Sequence, residues 1–268
     1  MNHTLLTFIA SGLYLAASTG LTLRLVSRPT GKTIRNISLL LALLAVIAHA
    51  MQVYQTSWTA AGLNLSFFNA ASLIGWLMAA FLLLATLRKP VENLGIVILP
   101  VAAVTALLSL IFGRTQGSSA PIGANIDWHI LFSMVAYSLL GIAAAQALLL
   151  WVQEYHLRNR HPGGFIRMLP ALQTMEEMLF QLLRLGFAVL TVALITGALS
   201  LDNIFAQHLV HKTVLSITAW IVFAVLLFGH WRFGWRGRTA IRWTLGGFIA
   251  LMLAYFGTKL VLQFILHR

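Results

Sequence analysis

The sequence predicts an all-α integral membrane protein of about eight transmembrane helices, with both termini on the non-cytoplasmic side. Three observations carry this expectation. Apolar residues make up 59% of the 268 residues and charged residues 9%, a balance that leaves too little polar surface to cover a soluble core. Apolar stretches near the ~20 residues needed to cross a hydrocarbon core recur along the chain. The eighteen basic residues fall unevenly between alternate connections, as they do when positive charge stays on the cytoplasmic side.

Gly, Pro, Asn and charged residues divide the chain into spans near 4–23, 35–54, 65–87, 94–112, 128–153, 179–200, 209–230 and 240–265. The first, Thr4 to Leu23, has no basic segment before it and no small-residue cleavage site after it, so it is expected to be retained and not removed as a signal peptide. Arg24, Arg28, Lys32, Arg35, Arg88, Lys89, Arg158, Arg160, Arg167, Arg184, Arg232, Arg236, Arg238 and Arg242 fall on one side of this alternation. Only Arg114, Lys212, Lys259 and Arg268 fall on the other. The first group is assigned to the cytoplasm.

The connection 154–178 carries Pro162, Gly163, Gly164 and Pro170. From Ala171 its apolar residues recur at helical spacing around Glu176 and Glu177. This predicts a short interfacial helix on the cytoplasmic side, running into the sixth span. No connection is long enough to bury a core of its own, so residues 1–268 read as a single polytopic membrane domain without an internal repeat. The absence of cysteine excludes disulfides, thiolate metal sites and covalent haem attachment through a CxxCH motif. The net charge of +12 reports membrane orientation, not nucleic-acid binding.

The nine histidines carry most of the available chemistry. A neutral imidazole ligates haem iron well, and two from facing helices make a six-coordinate site. His49 is five residues before Tyr54, about 7.5 Å below the outer end of the second span at 1.5 Å per residue. His129 opens the fifth span at similar depth, and the two form the preferred axial pair for a non-covalent b-type haem. His208 and His211 lie one turn apart at the start of the seventh span. His267 closes the eighth on the same side, whereas His230 ends the seventh at the cytoplasmic face near His156 and His161. Taken singly, each has a plainer reading as an interfacial or hydrogen-bonded residue. Zinc is the rival metal, through a three-histidine set built on His208 and His211.

Lys259, about two turns below the outer end of the last span, either snorkels to the surface or neutralises a haem propionate. Trp128 belongs to the outer aromatic belt and sits beside the candidate ligand His129. Trp76 and Trp220 fall in mid-span, where an indole N–H needs a partner; they line a cavity or simply pack. Asn64, Ser66 and Asn69 either cap the third span or hydrogen-bond into an outer vestibule. No serine–histidine–carboxylate set, phosphate loop or paired carboxylates are present, so an enzyme acting alone is not expected.

Several stretches resemble a known family. They are Asn64-Leu-Ser-Phe-Phe-Asn-Ala-Ala-Ser-Leu-Ile-Gly-Trp76, Trp128-His-Ile-Leu-Phe-Ser-Met-Val-Ala-Tyr137, Gly229-His-Trp-Arg-Phe-Gly-Trp-Arg-Gly-Arg238 and Leu253-Ala-Tyr-Phe-Gly257. Together they resemble the CcsA/ResC/CcmC cytochrome c assembly superfamily, most closely its bacterial YpjD-type inner membrane members, over nearly the whole chain. The resemblance implies a polytopic protein of the bacterial inner membrane that handles haem. His129 and His230 match family histidines and His267 lies near a third, whereas His49 rests on depth alone. The chain departs from the haem ligases before the seventh span. Their tryptophan-rich loop is replaced by Asn203-Ile-Phe-Ala-Gln-His-Leu-Val-His-Lys-Thr-Val, so ligation of haem to apocytochrome is not implied.

The leading expectation is a haem-binding protein of cytochrome c assembly type, with haem, membrane lipids and another membrane protein of haem delivery or ion transport as partners. Cofactor contacts are expected from His49, His129, His211, His230, His267, Lys259 and Trp128. The rival is a non-catalytic accessory subunit that has lost haem and packs through small residues such as Ala143 to Ala145, Gly246 and Gly247. A solute carrier ranks last, because mid-membrane carboxylates and broken helices are missing.

Overall fold

The structure, a computed structural model, describes residues 3–26, 31–59, 62–64, 66–113, 124–159, 169–200 and 207–257. The chain forms two compact units, residues 1–122 with 160–170 and residues 123–159 with 171–268. The first contains α1 (His3–Val26), α2 (Gly31–Ser57), α3 (Phe67–Thr86) and α4 (Gly95–Phe112), the last entered through a 3-10 turn at Glu92–Leu94. The second contains α5 (Ala124–Arg158), α6 (Leu172–Ser200), α7 (Gln207–Phe233) and α8 (Gly237–Met252), which continues as a π-helical segment over Leu253–Gly257. The helices α1 to α7 are long and apolar enough to cross a membrane, and α8 is shorter over the described residues. The protein is an all-α integral membrane protein.

Both units follow one plan. In the first, α1 packs on α2, α2 on α3, α3 on α4, and α4 returns to α1; in the second, α5 to α8 close the same ring. Small side chains let these helices approach. On α1, Ala10 and Ala17 are fully buried beside Tyr14, and α4 meets them with Ala102, Ala103 and Ala106. Ser11 and Ser18 of α1 donate to the carbonyls of Ala103 and Ile96 on α4, both at 3.3 Å. Such hydroxyl-to-carbonyl bonds hold helices together where apolar burial gives little drive against lipid. Large apolar side chains face outward instead, among them Phe8, Leu15, Leu40 and Ile47.

Three features differ from the sequence reading. The helix starting at Leu172 is the first part of a continuous α6, not a separate interfacial element; no Gly or Pro interrupts residues 171–185. The second span runs on to Ser57, which puts His49 eight residues and so about 12 Å from its end. Between α2 and α3 the chain makes a minimal hairpin, β1 (Trp58–Thr59) pairing antiparallel with β2 (Gly62–Leu63).

Candidate functional site

Within each unit the described arginines gather at one end. In the first, Glu92 accepts from Arg24 Nη1 at 2.8 Å and Arg35 Nε at 3.0 Å, with its side chain 6% exposed. One carboxylate thereby joins the ends of α1 and α2 to the turn that starts α4. The opposite, His3 end of this unit holds a cavity of about 470 Å³ lined by His3, Gln55, Thr56, Asn64, Asn69 and Ser109, among others. Ser109 Oγ donates to Asn69 Oδ1 at 2.7 Å, and the Ser66 N–H donates to Asn64 Oδ1 at 3.1 Å. No side chain caps α3; Asn64 instead holds the Ser66 N–H just ahead of it, and both asparagines line the cavity.

His49 is completely enclosed. Its Nδ1 lies 3.2 Å from the Tyr14 hydroxyl and its Nε2 lies 2.9 Å from Ser72 Oγ, linking α2 to α1 and α3. A neutral imidazole has one donor and one acceptor nitrogen, and here both are engaged. Trp76 donates from Nε1 to the Val46 carbonyl at 3.0 Å, so its mid-span indole is satisfied within the bundle.

The second unit treats its histidines differently. His129, near the start of α5, bonds through Nδ1 to the Ala193 carbonyl on α6 at 2.8 Å. A carbonyl only accepts, so Nδ1 carries a proton, and in the neutral ring Nε2 is the nitrogen with the lone pair. Nε2 has no hydrogen-bond partner among the described residues. The ring lies against Gly197, where an added Cβ would come within 2.7 Å of Cε1 and 2.8 Å of Nδ1. Trp128 beside it is 57% exposed and stacks on Phe132.

His230, near the end of α7, repeats the pattern at the opposite end of the unit. Nδ1 donates to the Trp235 carbonyl at 2.9 Å, and Nε2 again lacks a partner among the described residues. The carbonyl reaches it because α7 ends there: Gly234, at φ 67°, donates its N–H to the His230 carbonyl, and the Trp235 N–H donates to the Gly229 carbonyl. Only glycine adopts this left-handed cap cheaply. The Trp235 ring settles over Gly229, where an added Cβ would collide with it. Gly237, at φ 53°, donates its N–H to Glu176 Oε1 at 2.7 Å, and Arg238 pairs with Glu154 at 3.2 Å. The segment Gly229 to Arg238 is therefore a helix terminator whose product is an oriented imidazole.

Phe180 stacks on His230 with ring centres 3.5 Å apart and planes 15° apart. Beside them lies a cavity of about 260 Å³ whose lining includes Glu176, Glu177, Arg184 and Arg236. Trp220 donates to Thr191 Oγ1 at 2.9 Å and stacks on Phe187. It packs within the unit.

A family model described as cytochrome C assembly protein matches residues 36–266. The chain belongs to the cytochrome c assembly protein family. Inner membrane protein YpjD of Escherichia coli (strain K12) is 32% identical over 240 residues, spanning 86% of this chain and 88% of that protein. Cytochrome c biogenesis protein CcsA of Microcystis aeruginosa is 22% identical over 246 residues, spanning 72% and 75% of the two chains. No solved structure matches. This cytochrome c assembly family member is accordingly a multi-pass protein of the bacterial inner membrane.

Of the residues expected to touch a cofactor, His129, Trp128 and His230 lie in the second unit and His49 in the first. His211 lies in α7, its side chain outside the described residues, and Lys259 and His267 are outside them altogether. Among the described residues no three metal-ligating side chains gather around one point; the side chains of His208 and His211 lie outside the described residues. Sequence reasoning missed Gly197, Phe180 and Glu176. The first two act on a histidine across helices, and their only local signal is a glycine or phenylalanine on the inner face of α6.

Proposed function

We propose that this protein handles haem in cytochrome c assembly through His129 at one end of its second unit and His230 at the other. The shared ring geometry carries the reading. In both, Nδ1–H is held by a backbone carbonyl and Nε2 presents a lone pair, the arrangement that orients metal-ligating histidines. Because the rings lie at opposite ends of the unit, they serve separate positions and not the two faces of one iron.

The donor set fits haem: His129 and His230 would each offer an imidazole nitrogen to its iron, which would supply a redox centre. Phe180 fixes the His230 ring plane, and Arg184 and Arg236 offer cations to carboxylates. At about 260 Å³ the cavity is smaller than pockets that enclose a drug-sized ligand. His230, Phe180, Arg184 and Arg236 would hold the carboxylate-bearing edge of the group here, beside Glu176 and Glu177.

The arginine-rich ends of both units face the cytoplasm in this reading, so His129 faces outward. An eighth span, begun by α8, completes the fold in this reading. The pairing of His49 with His129 requires His49 to release Tyr14 or Ser72 first, and it is the less favoured arrangement. Covalent attachment of haem is not part of the proposal, since the connection between α6 and α7 has no tryptophan. Of the small residues that favoured an accessory subunit, Ala143, Ala144 and Ala145 are buried and Gly247 lies against Phe223, which leaves Gly246 open to a partner helix.

Absorption spectra of the purified protein, oxidised and reduced, test the reading when compared with His49→Ala, His129→Ala and His230→Ala variants. The expected result is a Soret band that weakens or shifts in the second and third variants and persists in the first. A colourless protein that takes up no added haemin overturns haem handling. Loss of the band in His49→Ala with retention in His230→Ala overturns the assignment of ligands.

A further inference from the structure

We propose that the His3 end of the first unit is a hydrated half-channel, with water as its ligand, which connects the aqueous phase to the buried ring of His49. The entrance is the cavity of about 470 Å³, far larger than the ~10–15 Å³ one water requires. Its lining combines amide and hydroxyl groups with the His3 imidazole, Leu110 and Gly113, and among the described residues it includes no carboxylate, lysine or arginine. Such a surface offers donors and acceptors to water without selecting an ion.

The path inward follows one face of α2, on which Thr56, Gln52 and His49 stand at helical spacing. Thr56 lines the cavity. Gln52 is 0% exposed, and neither its Oε1 nor its Nε2 has a hydrogen-bond partner among the described residues. The hydroxyls of Ser57 and Ser66, 2% and 7% exposed, are also without partners among the described residues. A buried amide with no partner stays desolvated without compensation, whereas a bridging water restores its hydrogen bonds at a small entropic cost. Water at Gln52 is thus the cheaper state, and one side chain with two free donors and one acceptor relays between the cavity and the next turn. That turn holds His49, bonded to Tyr14 and Ser72.

The same face then becomes apolar, with Ala45 and Ala42 buried at 0% and 1% exposure. The polar face of α2 therefore leads to His49 from the cavity side, and the imidazole with its Tyr14 and Ser72 partners exchanges protons with that side. This inference concerns the first unit and does not depend on haem binding in the second.

The test is water-edited solid-state NMR on protein in liposomes, with ¹⁵N in glutamine and histidine side chains. Gln55 serves as the wet reference. Gln146 serves as the dry one, being 2% exposed and bonded to the Met175 carbonyl at 2.9 Å. Gln52, assigned by the signal lost in Gln52→Leu, and His49 are expected to gain magnetisation from water on the Gln55 timescale. Gln52→Leu is expected to abolish the fast transfer to His49 while Gln55 stays wet. Slow transfer at Gln52 and His49, matching Gln146, overturns the proposal, as does fast transfer to His49 that survives Gln52→Leu. Should the leucine variant fold poorly, Gln52→Met offers a second apolar replacement with the same expected loss.

Discussion

Replacing Gly197 by alanine perturbs His129 without touching it chemically. The added Cβ would stand 2.7 Å from the ring carbon Cε1 and 2.8 Å from Nδ1, whereas ordinary van der Waals contact begins near 3.4 Å. The ring must retreat by about 0.6–0.7 Å, and it cannot do so while keeping the 2.8 Å bond from Nδ1 to the Ala193 carbonyl. Loss of that bond costs about 0.5–1.5 kcal/mol, and the tautomer and ring direction that point Nε2 outward lose their restraint. A combined loss of about 1–2 kcal/mol weakens haem binding roughly 5–30-fold. Titration of the purified variant with haemin, followed at the Soret band, measures it. Gly246→Ala is the control, since an added Cβ there meets nothing within 4 Å. Wild-type affinity and an unchanged spectrum in Gly197→Ala would refute the orienting role assigned to the α6 contact.

Gly234→Ala places a side chain at φ 67° and is expected to cost about 1–2 kcal/mol, lowering the unfolding midpoint in detergent and freeing the Trp235 carbonyl from His230. Glu92→Gln leaves Arg24 and Arg35 without their shared carboxylate; because both arginines are partly exposed, the expected loss is about 1–3 kcal/mol, and a double-mutant cycle with Arg35→Ala should show coupling. Tyr137→Phe removes a bond of 2.8 Å to the Leu251 carbonyl and is expected to cost about 0.5–1.5 kcal/mol, read as faster amide exchange over 251–257.

Helix positions were open to sequence reasoning because lipid imposes a length and an apolar composition on every span. Their ends were not. Gln55-Thr56-Ser57 looks like the start of a loop, yet the Thr56 hydroxyl bonds back to the Gln52 carbonyl and Ser57 is enclosed, so α2 runs on. The depth first assigned to His49 was too shallow for this reason. Polar groups of the other helices made the same difference at His49 itself. Nothing in the sequence near residue 49 announces Tyr14 and Ser72, which occupy both ring nitrogens. His230 was legible as part of a family-like segment, and the structure adds why that segment contains three glycines. Gly229 admits a tryptophan ring, Gly234 ends a helix, and Gly237 turns its N–H to a glutamate.

The shared carboxylate of Glu92 bears on how the protein enters the membrane. A nascent chain emerges from its amino end, so Arg24 and Arg35 are delivered about sixty residues before the acid that will join them. During that interval both remain fully cationic, which is when positive charge decides which way a helical hairpin is inserted. Arrival of Glu92 then links the first hairpin to the second at the moment α4 closes the ring. One residue converts a sorting signal into a fastener for α1, α2 and the turn that starts α4.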